Sequence, residues 1–392
     1  MSKARVIVLS VVHQGLTKAQ AARKFDVSWQ WVHTLVTRFE IGGLEALEPR
    51  SRRPISSSHR TPNNVRDRII QLRQQLTAEG LDAGPATIAW HLERERLTAP
   101  AISTIRRILL GAGLITPAPT KRPKSSYLRF AADQPNETWQ SDFTHWALAD
   151  GTDIEILNWL DDHSRLLLSC TAHHPVTGTT VIDTFTALIH EYGPPASTLT
   201  DNGSVYTSRF TGGKNGFEHL LSIAGITQKN GHPYHPQTQG KIERFHQTLK
   251  LWLSKRPAAA TLAELQTQLH RFRKIYNDDR PHRALDRRTP RQAYEATIKA
   301  TPAAAPLAAH YRIRYDTVDR HGKLTLRHGG TLHHLGVGRG NGRIPVLILV
   351  DDTHVTVTHR HTGEVLGTYL INPTNNYWPK QAEEPDHRPG SS

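Results

Sequence analysis

Between residues 131 and 295 the apolar pattern of this chain switches repeatedly between period two and helical spacing, and the order of the switches constrains the fold. "TWQSDFTHWAL", "TDIEILNWLDDHSR" and "LLLSCTAHH" read as strands. "TGTTVIDTFTALIHEYG" is a helix bounded by glycines, and "ASTLTDNG" is a short strand running into a turn. "FEHLLSIAGI" is again helical, "TQKNG" is a short strand, and "HPYHPQTQGKIERFHQTLK" leads into a further helix. The order β-β-β-α-β-α-β-α predicts an α/β domain on a mixed sheet. "LAELQTQLHRFRKIYNDDRPHRAL" continues it as a helix closing on a proline loop.

The flanking segments differ in texture. Residues 1–47 read as a small helical unit, with Val6, Leu9 and Val12 on one apolar face, continued by Ala21, Ala22 and Phe25. Ser28 is placed to cap a helix carrying Val32, Leu35 and Phe39 at helical spacing. Two short helices meeting at a tight turn describe a helix-turn-helix, whose second helix would present Trp29, Gln30, His33, Thr34 and Thr37 as base readers. Residues 48–62 form a basic linker in which Arg52 and Arg53 suit phosphates. Residues 63–115 predict a second helix-turn-helix, with Val65, Ile69 and Leu72 inside and a last helix, capped by Ser103, exposing Thr104, Arg106 and Arg107. A Pro/Lys linker (116–130) precedes the α/β domain (131–295), and an Ala/Pro linker (296–309) follows it. Residues 310–372 alternate at period two and predict a small all-β barrel domain of about five strands; the polar tail 373–392 is expected to be disordered.

Charge narrows the partners. The 392 residues carry a net charge of +14, and residues 1–130 hold 21 Lys and Arg against 9 Asp and Glu. A field of this sign draws polyanions, double-stranded DNA above all. The single cysteine, Cys170, excludes a disulfide framework and any Cys/His zinc finger despite 24 histidines. No apolar run reaches the length of about 18 residues needed to span a membrane, and a secretory signal is not expected, so a cytoplasmic, nucleoid-associated protein is predicted.

Three acids stand in sharply marked settings. Asp142 lies within the apolar-aromatic strand "WQSDFTHW", Asp201 ends a strand at "LTDNGS", and Glu243 enters a helix otherwise rich in cations. Two neighbouring strands and an adjoining helix can bring three carboxylates to one point. Such a cluster repels itself unless a cation intervenes, and hard divalent ions suit oxygen ligands. Two ions about 4 Å apart serve in-line phosphoryl displacement. On the helix, Ile242, Phe245, Leu249, Trp252 and Leu253 form a stripe to be buried, and Glu243 falls at its edge. Lys241, Arg244, His246 and Lys250 are then expected to grip DNA.

"WQSDFTHW", "LTDNGSVYTS" and "YHPQTQGKIERFHQTLK" resemble the signature blocks of insertion-sequence transposases with a retroviral-integrase-type catalytic core. The resemblance implies an RNase H-like fold over 131–295, a DDE triad at Asp142, Asp201 and Glu243, and two Mg²⁺ ions, with Mn²⁺ as a substitute. It further implies binding of terminal inverted repeats and target DNA, cleavage followed by joining, and self-association into a homo-oligomer on DNA. Two features depart from the pattern. Glu243 follows Asp201 by 42 residues, longer than usual, with "TGGKNG" (211–216) as the candidate insertion; and helix-turn-helix units replace the zinc-binding N-terminal module of retroviral integrases. Asn202, Gly203, His235, Pro236, Gln237 and Gly240 are read as shaping loops near the site.

Other candidates are weaker. Asp161 and Asp162 read as turn chemistry, His232 and His235 as turn residues rather than a metal pair, and His173, His174, His333 and His334 as surface residues. Two alternative functions remain open: a catalytically inactive RNase H-like DNA-binding regulator, and a metal-dependent nuclease that cuts without joining.

Overall fold

The computed structural model describes residues 2–48, 60–116, 132–201, 203–207, 215–230, 240–303 and 311–381. The chain divides into two compact units, Met1–Thr61 and Pro62–Ser392.

In the first unit, α1 (Lys3–Val12), α2 (Lys18–Lys24) and α3 (Trp29–Gly42) enclose a core of Ile7, Val8, Ala21, Val32, Leu35 and Val36. Ser28 caps α3 as expected, accepting the Trp31 N–H at 3.2 Å. Helix α1 buries a different face from the expected one. Ile7 and Val8 point inward and Val12 is exposed. "VIVLSVV" is apolar on every side, so spacing alone does not choose the buried face.

The second unit begins with α4 (Asn63–Ala78), α5 (Pro85–Arg94) and α6 (Ile102–Gly111), packed around Val65, Ile69, Leu72, Ile88 and Ile105. Helix α6 starts two residues earlier than predicted. Its N-cap is Ala101, without a side-chain bond, and Ser103 already lies in the helix.

The sheet that follows has β1 (Thr138–Ala147), β2 (Asp153–Asp161) and β3 (Leu167–His173), then α7 (Gly178–Tyr192), β4 (Ser197–Thr200), α8 (Gly216–Ile223) and β5 (Thr227–Asn230). Helices α9 (Gly240–Leu253), α10 (Leu262–Lys274) and α11 (Pro290–Glu295) complete it. The strand order is β3-β2-β1-β4-β5, antiparallel across β3-β2-β1 and parallel across β1-β4-β5. This is the expected mixed sheet with an RNase H-like order. Alternation along β2 divides two cores. Leu157 and Trp159 face α7 and α8, whereas Ile154, Ile156 and Leu160 face α9 and α10.

The helical module of α4–α6 docks on the C-terminal end of α9. Gly80, at φ +70°, approaches so closely that a Cβ there would lie 2.7 Å from the Leu251 carbonyl. Arg256 donates to the Glu79 carbonyl at 3.0 Å, and Arg94 pairs with Asp279 at 3.0 Å.

The C-terminal all-β region has seven strands rather than about five: β6 (Arg312–Thr317), β7 (Lys323–His328), β8 (Thr331–Gly336), β9 (Pro345–Val350), β10 (His354–His359), β11 (Val365–Leu370) and β12 (Tyr377–Trp378). They form sheets ordered β11-β10-β9-β6 and β12-β8-β7. Along β9, Val346, Ile348 and Val350 fill the region's own core, while Leu347 and Leu349 join the core beneath α7 and α8. Order continues into the stretch expected to be disordered from 373. Trp378 is fully buried, stacks on His333 with ring centroids 4.4 Å apart, and donates to the Asn372 carbonyl at 2.7 Å. His333, expected at the surface, is therefore a core residue.

Candidate functional site

The α9 face of the sheet carries a polar patch in an otherwise apolar wall. Trp139, Ser141 and Phe143 of β1 face α7 and α8, so Gln140 and Asp142 face α9. Asp142 pairs in register with Asn158 on β2. Gln140 pairs with Leu199 of β4, and two residues further along each strand stand Asp142 and Asp201. Asp142 is thus mid-strand, not at a strand end, at the level where β4 ends.

Both aspartates are half-buried, and Glu243, in the first turn of α9, is exposed. The expected stripe of Ile242, Phe245, Leu249, Trp252 and Leu253 is buried in full. Each such side chain contributes about 1.5–3 kcal/mol on burial, which fixes the rotation of α9 and keeps Glu243 at the rim. Burial first, then the charges of Asp201 and Glu243, raise the Asp142 carboxyl to about 6 against the Phe143 N–H that holds it down. Burial likewise raises Asp201, opposed by the Gly203 N–H it accepts at 3.0 Å. A Cβ on Gly203 would sit 3.0 Å from Asp201 Oδ1, so any other residue there would push on that carboxylate. The loop is tied to β1 by Tyr206, whose hydroxyl bonds Ser141, the neighbour of Asp142, at 2.9 Å.

Among the described residues, no group of three or more His, Cys, Asp or Glu side chains is gathered tightly enough to hold a metal ion. The carboxylates form an open, mutually repelling set rather than a closed cage. Its oxygen-only donors fit a hard divalent cation, and the Asp142 carboxyl is raised first by burial and then by the neighbouring negative charge that such a cation would neutralise.

Two residues expected to hold DNA turn inward. The Lys241 ammonium pairs with the buried Asp162 carboxylate at 2.5 Å. His246 lies against the sheet, with Nε2 3.2 Å from the Asn158 amide nitrogen and Nδ1 3.8 Å from Asp142 Oδ2. Burial, then Lys250, lowers its ring to about 4, so it is neutral at physiological pH. With Nε2 accepting from Asn158, the remaining proton sits on Nδ1, facing Asp142. The helical wheel did not reveal this pair, because Asn158 comes from a strand 88 residues away. Arg244 and Lys250 are exposed, as is Gly240 at the start of α9.

In the helical modules, Gln30, His33, Arg106 and Arg107 are exposed. His33 stacks on Trp29 and bonds Lys18 at 3.1 Å. Thr34 is exposed but its hydroxyl donates to the Gln30 carbonyl, and Thr37 is half-buried rather than outward. Thr104 is half-buried and accepts from Arg107 at 3.0 Å. Arg52, Arg53, Asn202, His232, His235, Pro236, Gln237 and most of "TGGKNG" lie outside the described residues. Among the described residues, no helix is long and apolar enough to cross a membrane.

Comparison with known proteins agrees with this architecture. Residues 132–236 and 224–290 match models of the integrase core domain, residues 3–55 a helix-turn-helix domain, and residues 31–109 a homeodomain-like domain. The uncharacterized 39.2 kDa protein of insertion element IS476 from Xanthomonas euvesicatoria is 29% identical over 177 residues, 44% of this chain and 48% of that one. The uncharacterized 31.7 kDa protein of insertion element IS407 from Burkholderia multivorans is 28% identical over 174 residues, 44% and 60% of the two chains. The Gag-Pro-Pol polyprotein of simian retrovirus SRV-1 is 36% identical over 124 residues, 31% of this chain and 6% of that one. The chain thus spans about half the length of the insertion-element relatives it matches. With an integrase core matched over residues 132–290 on an RNase H-like sheet, behind helix-turn-helix matches, the chain carries a catalytic-core domain similar to those of insertion-element proteins and retroviral polyproteins.

Proposed function

We propose that the chain is a DDE transposase that binds the terminal inverted repeats of an insertion sequence, cleaves phosphodiester bonds there and joins the ends to target DNA. The observation that carries the reading is geometric: Asp142 and Asp201 stand at one level of neighbouring strands, and α9, with Glu243 in its first turn, packs over the same face of the sheet. These three carboxylates would hold divalent cations, two Mg²⁺ or Mn²⁺ ions, whose charge activates an attacking oxygen and stabilises a leaving one.

The rest of the site positions and binds. Neutral His246, held by Asn158, presents an N–H toward Asp142 and so biases the orientation of that carboxylate. Exposed Arg244 and Lys250, on the same helix as Glu243, offer charge to the DNA backbone. Exposed Gln30 and His33 on α3, with Arg106 and Arg107 on α6, would contact the duplex, and joining two ends in one event requires a symmetric oligomer.

The test supplies pre-cut ends bearing a 3′-hydroxyl, a target plasmid and Mg²⁺. The wild-type protein yields joined product; Glu243→Gln binds the same ends and yields none. Cleavage without joining by the wild type identifies a nuclease instead. Binding of the ends by the wild type with neither cleavage nor joining identifies a DNA-binding regulator.

A further inference from the structure

Asp161 and Asp162 were both expected to shape the turn after β2, and the structure separates them. Asp161 does so, accepting the Ser164 N–H at 2.8 Å, the Ser164 hydroxyl at 2.6 Å and the Asn136 N–H at 2.8 Å. Asp162, only 6% exposed, reaches elsewhere. Its Oδ1 accepts from Gln140 Nε2 on β1 at 2.5 Å. Its Oδ2 accepts from the Ala132 N–H at 2.7 Å and from Lys241 Nζ on α9 at 2.5 Å.

The positions of the two side-chain donors matter. Gln140 precedes Asp142 by two residues on the same face of β1, and Lys241 precedes Glu243 by two residues in the first turn of α9. A single carboxylate therefore ties the strand bearing one acid of the triad to the helix bearing another. Stability does not account for the arrangement. A buried ion pair returns about what its desolvation costs, and apolar replacements are often neutral. The stripe from Ile242 to Leu253 already secures α9 as a whole. In the first turn the stripe contributes Ile242 alone, and there the backbone N–H groups lack intrahelical partners and fraying begins.

We infer that Asp162 and Lys241 are positioning residues that clamp the first turn of α9 to β1, set the separation of Glu243 from Asp142, and thereby tune divalent-cation binding. The inference rests on the metal-binding reading above, and three readouts on the full-length protein separate the two. Amide hydrogen exchange is measured over residues 240–246 and 247–253 without metal or DNA. Mn²⁺ binding to the DNA-free protein is followed by electron paramagnetic resonance, and duplex affinity by fluorescence anisotropy.

Lys241→Met and Asp162→Asn are expected to exchange about tenfold faster in the first turn of α9 alone. They should need about tenfold more Mn²⁺ for half-saturation, the lower range for a lost partner of a metal ligand. Lys241→Arg, which keeps the charge, should recover most of both losses, and duplex affinity should stay within about twofold throughout. Unchanged exchange overturns the clamp, as does faster exchange spread over the whole core, which marks a purely structural pair. Weakened duplex binding with unaltered Mn²⁺ binding overturns it too, and returns Lys241 to the DNA contacts. A wild type that binds Mn²⁺ and shows the expected changes, yet joins no pre-cut ends, sinks the transposase reading and leaves the clamp standing. A wild type that binds no Mn²⁺ overturns both.

Discussion

Replacing Asp142 with asparagine should make the metal-free protein more stable at neutral pH, although it removes an acid on which activity is proposed to depend. Folding raises the Asp142 carboxyl from 3.8 to about 6. Between those values the folded state holds a proton that the unfolded state has released, so stability is greatest below 3.8 and falls as pH climbs to about 6. Two pH units correspond to about 3 kcal/mol at 1.36 kcal/mol per unit. The side chain is 23% exposed, and halving the figure for solvent screening leaves about 1.5 kcal/mol. Asparagine keeps the shape but weakens the bond from the Phe143 N–H, now 2.8 Å long, at a cost of about 0.5 kcal/mol. The net gain of about 1 kcal/mol corresponds to roughly 2–4 °C in Tm. Calorimetry in EDTA from pH 4 to 8 reads it. His246 pulls the other way: lowered to about 4, it contributes stability that is lost as pH falls below 6.5. Subtracting the wild-type curve from that of Asp142→Asn removes this opposing slope. The difference should be near zero at pH 4 and rise to its plateau by pH 7. Saturating Mg²⁺ should then reverse the order, since only the wild type gains from binding. A flat difference across pH, or a less stable variant at pH 7.5 in EDTA, refutes the claim that burial, reinforced by neighbouring negative charge, strains the ionised Asp142.

Two further substitutions probe the neighbouring structure. Gly203→Ala puts a Cβ 3.0 Å from Asp201 Oδ1 and 3.4 Å from Oδ2. The displaced carboxylate should raise the Mg²⁺ requirement for joining by about tenfold at unchanged duplex affinity, measured by metal titration and anisotropy. Trp378→Ala should destabilise the β region by about 3–5 kcal/mol in denaturant titrations. Truncation after Asn372 should do the same, because it removes the ring stacked on His333 and the strand paired with β8.

What could be read from the residues alone was whatever depends on local pattern. Alternation and helical spacing gave the order of strands and helices, and the stripe on α9 gave its buried face. Asp142 was conspicuous because a lone acid among Trp139, Phe143 and Trp146 has no structural reason to be there. Most of the misreadings share a cause: the partner is distant in sequence. A wheel places Lys241 and His246 beside the stripe but cannot show Asn158 of β2, or Asp162 just after that strand, reaching them. A polar tail looks disordered until Trp378 finds His333, and an all-apolar helix such as α1 declares no preferred face.

The misassigned residues on α9 also settle how a cationic helix can carry a lone acid at its rim. Its basic residues divide by side. Lys241 and His246 turn inward to Asp162, Asn158 and Asp142, while Arg244 and Lys250 stay in solvent. A charge count treats all four as one DNA-binding surface, yet the two groups obey different physics. The exposed pair acts through a screened field and should weaken with salt. The inward pair acts over contact distances in a low dielectric, where salt has little influence and a shift of an ångström has much. His246 lies 3.8 Å from Asp142 and Lys241 stands two residues before Glu243, so on the proposed reading the inward pair governs the precision of the site, whereas the outward pair governs how firmly a duplex is held.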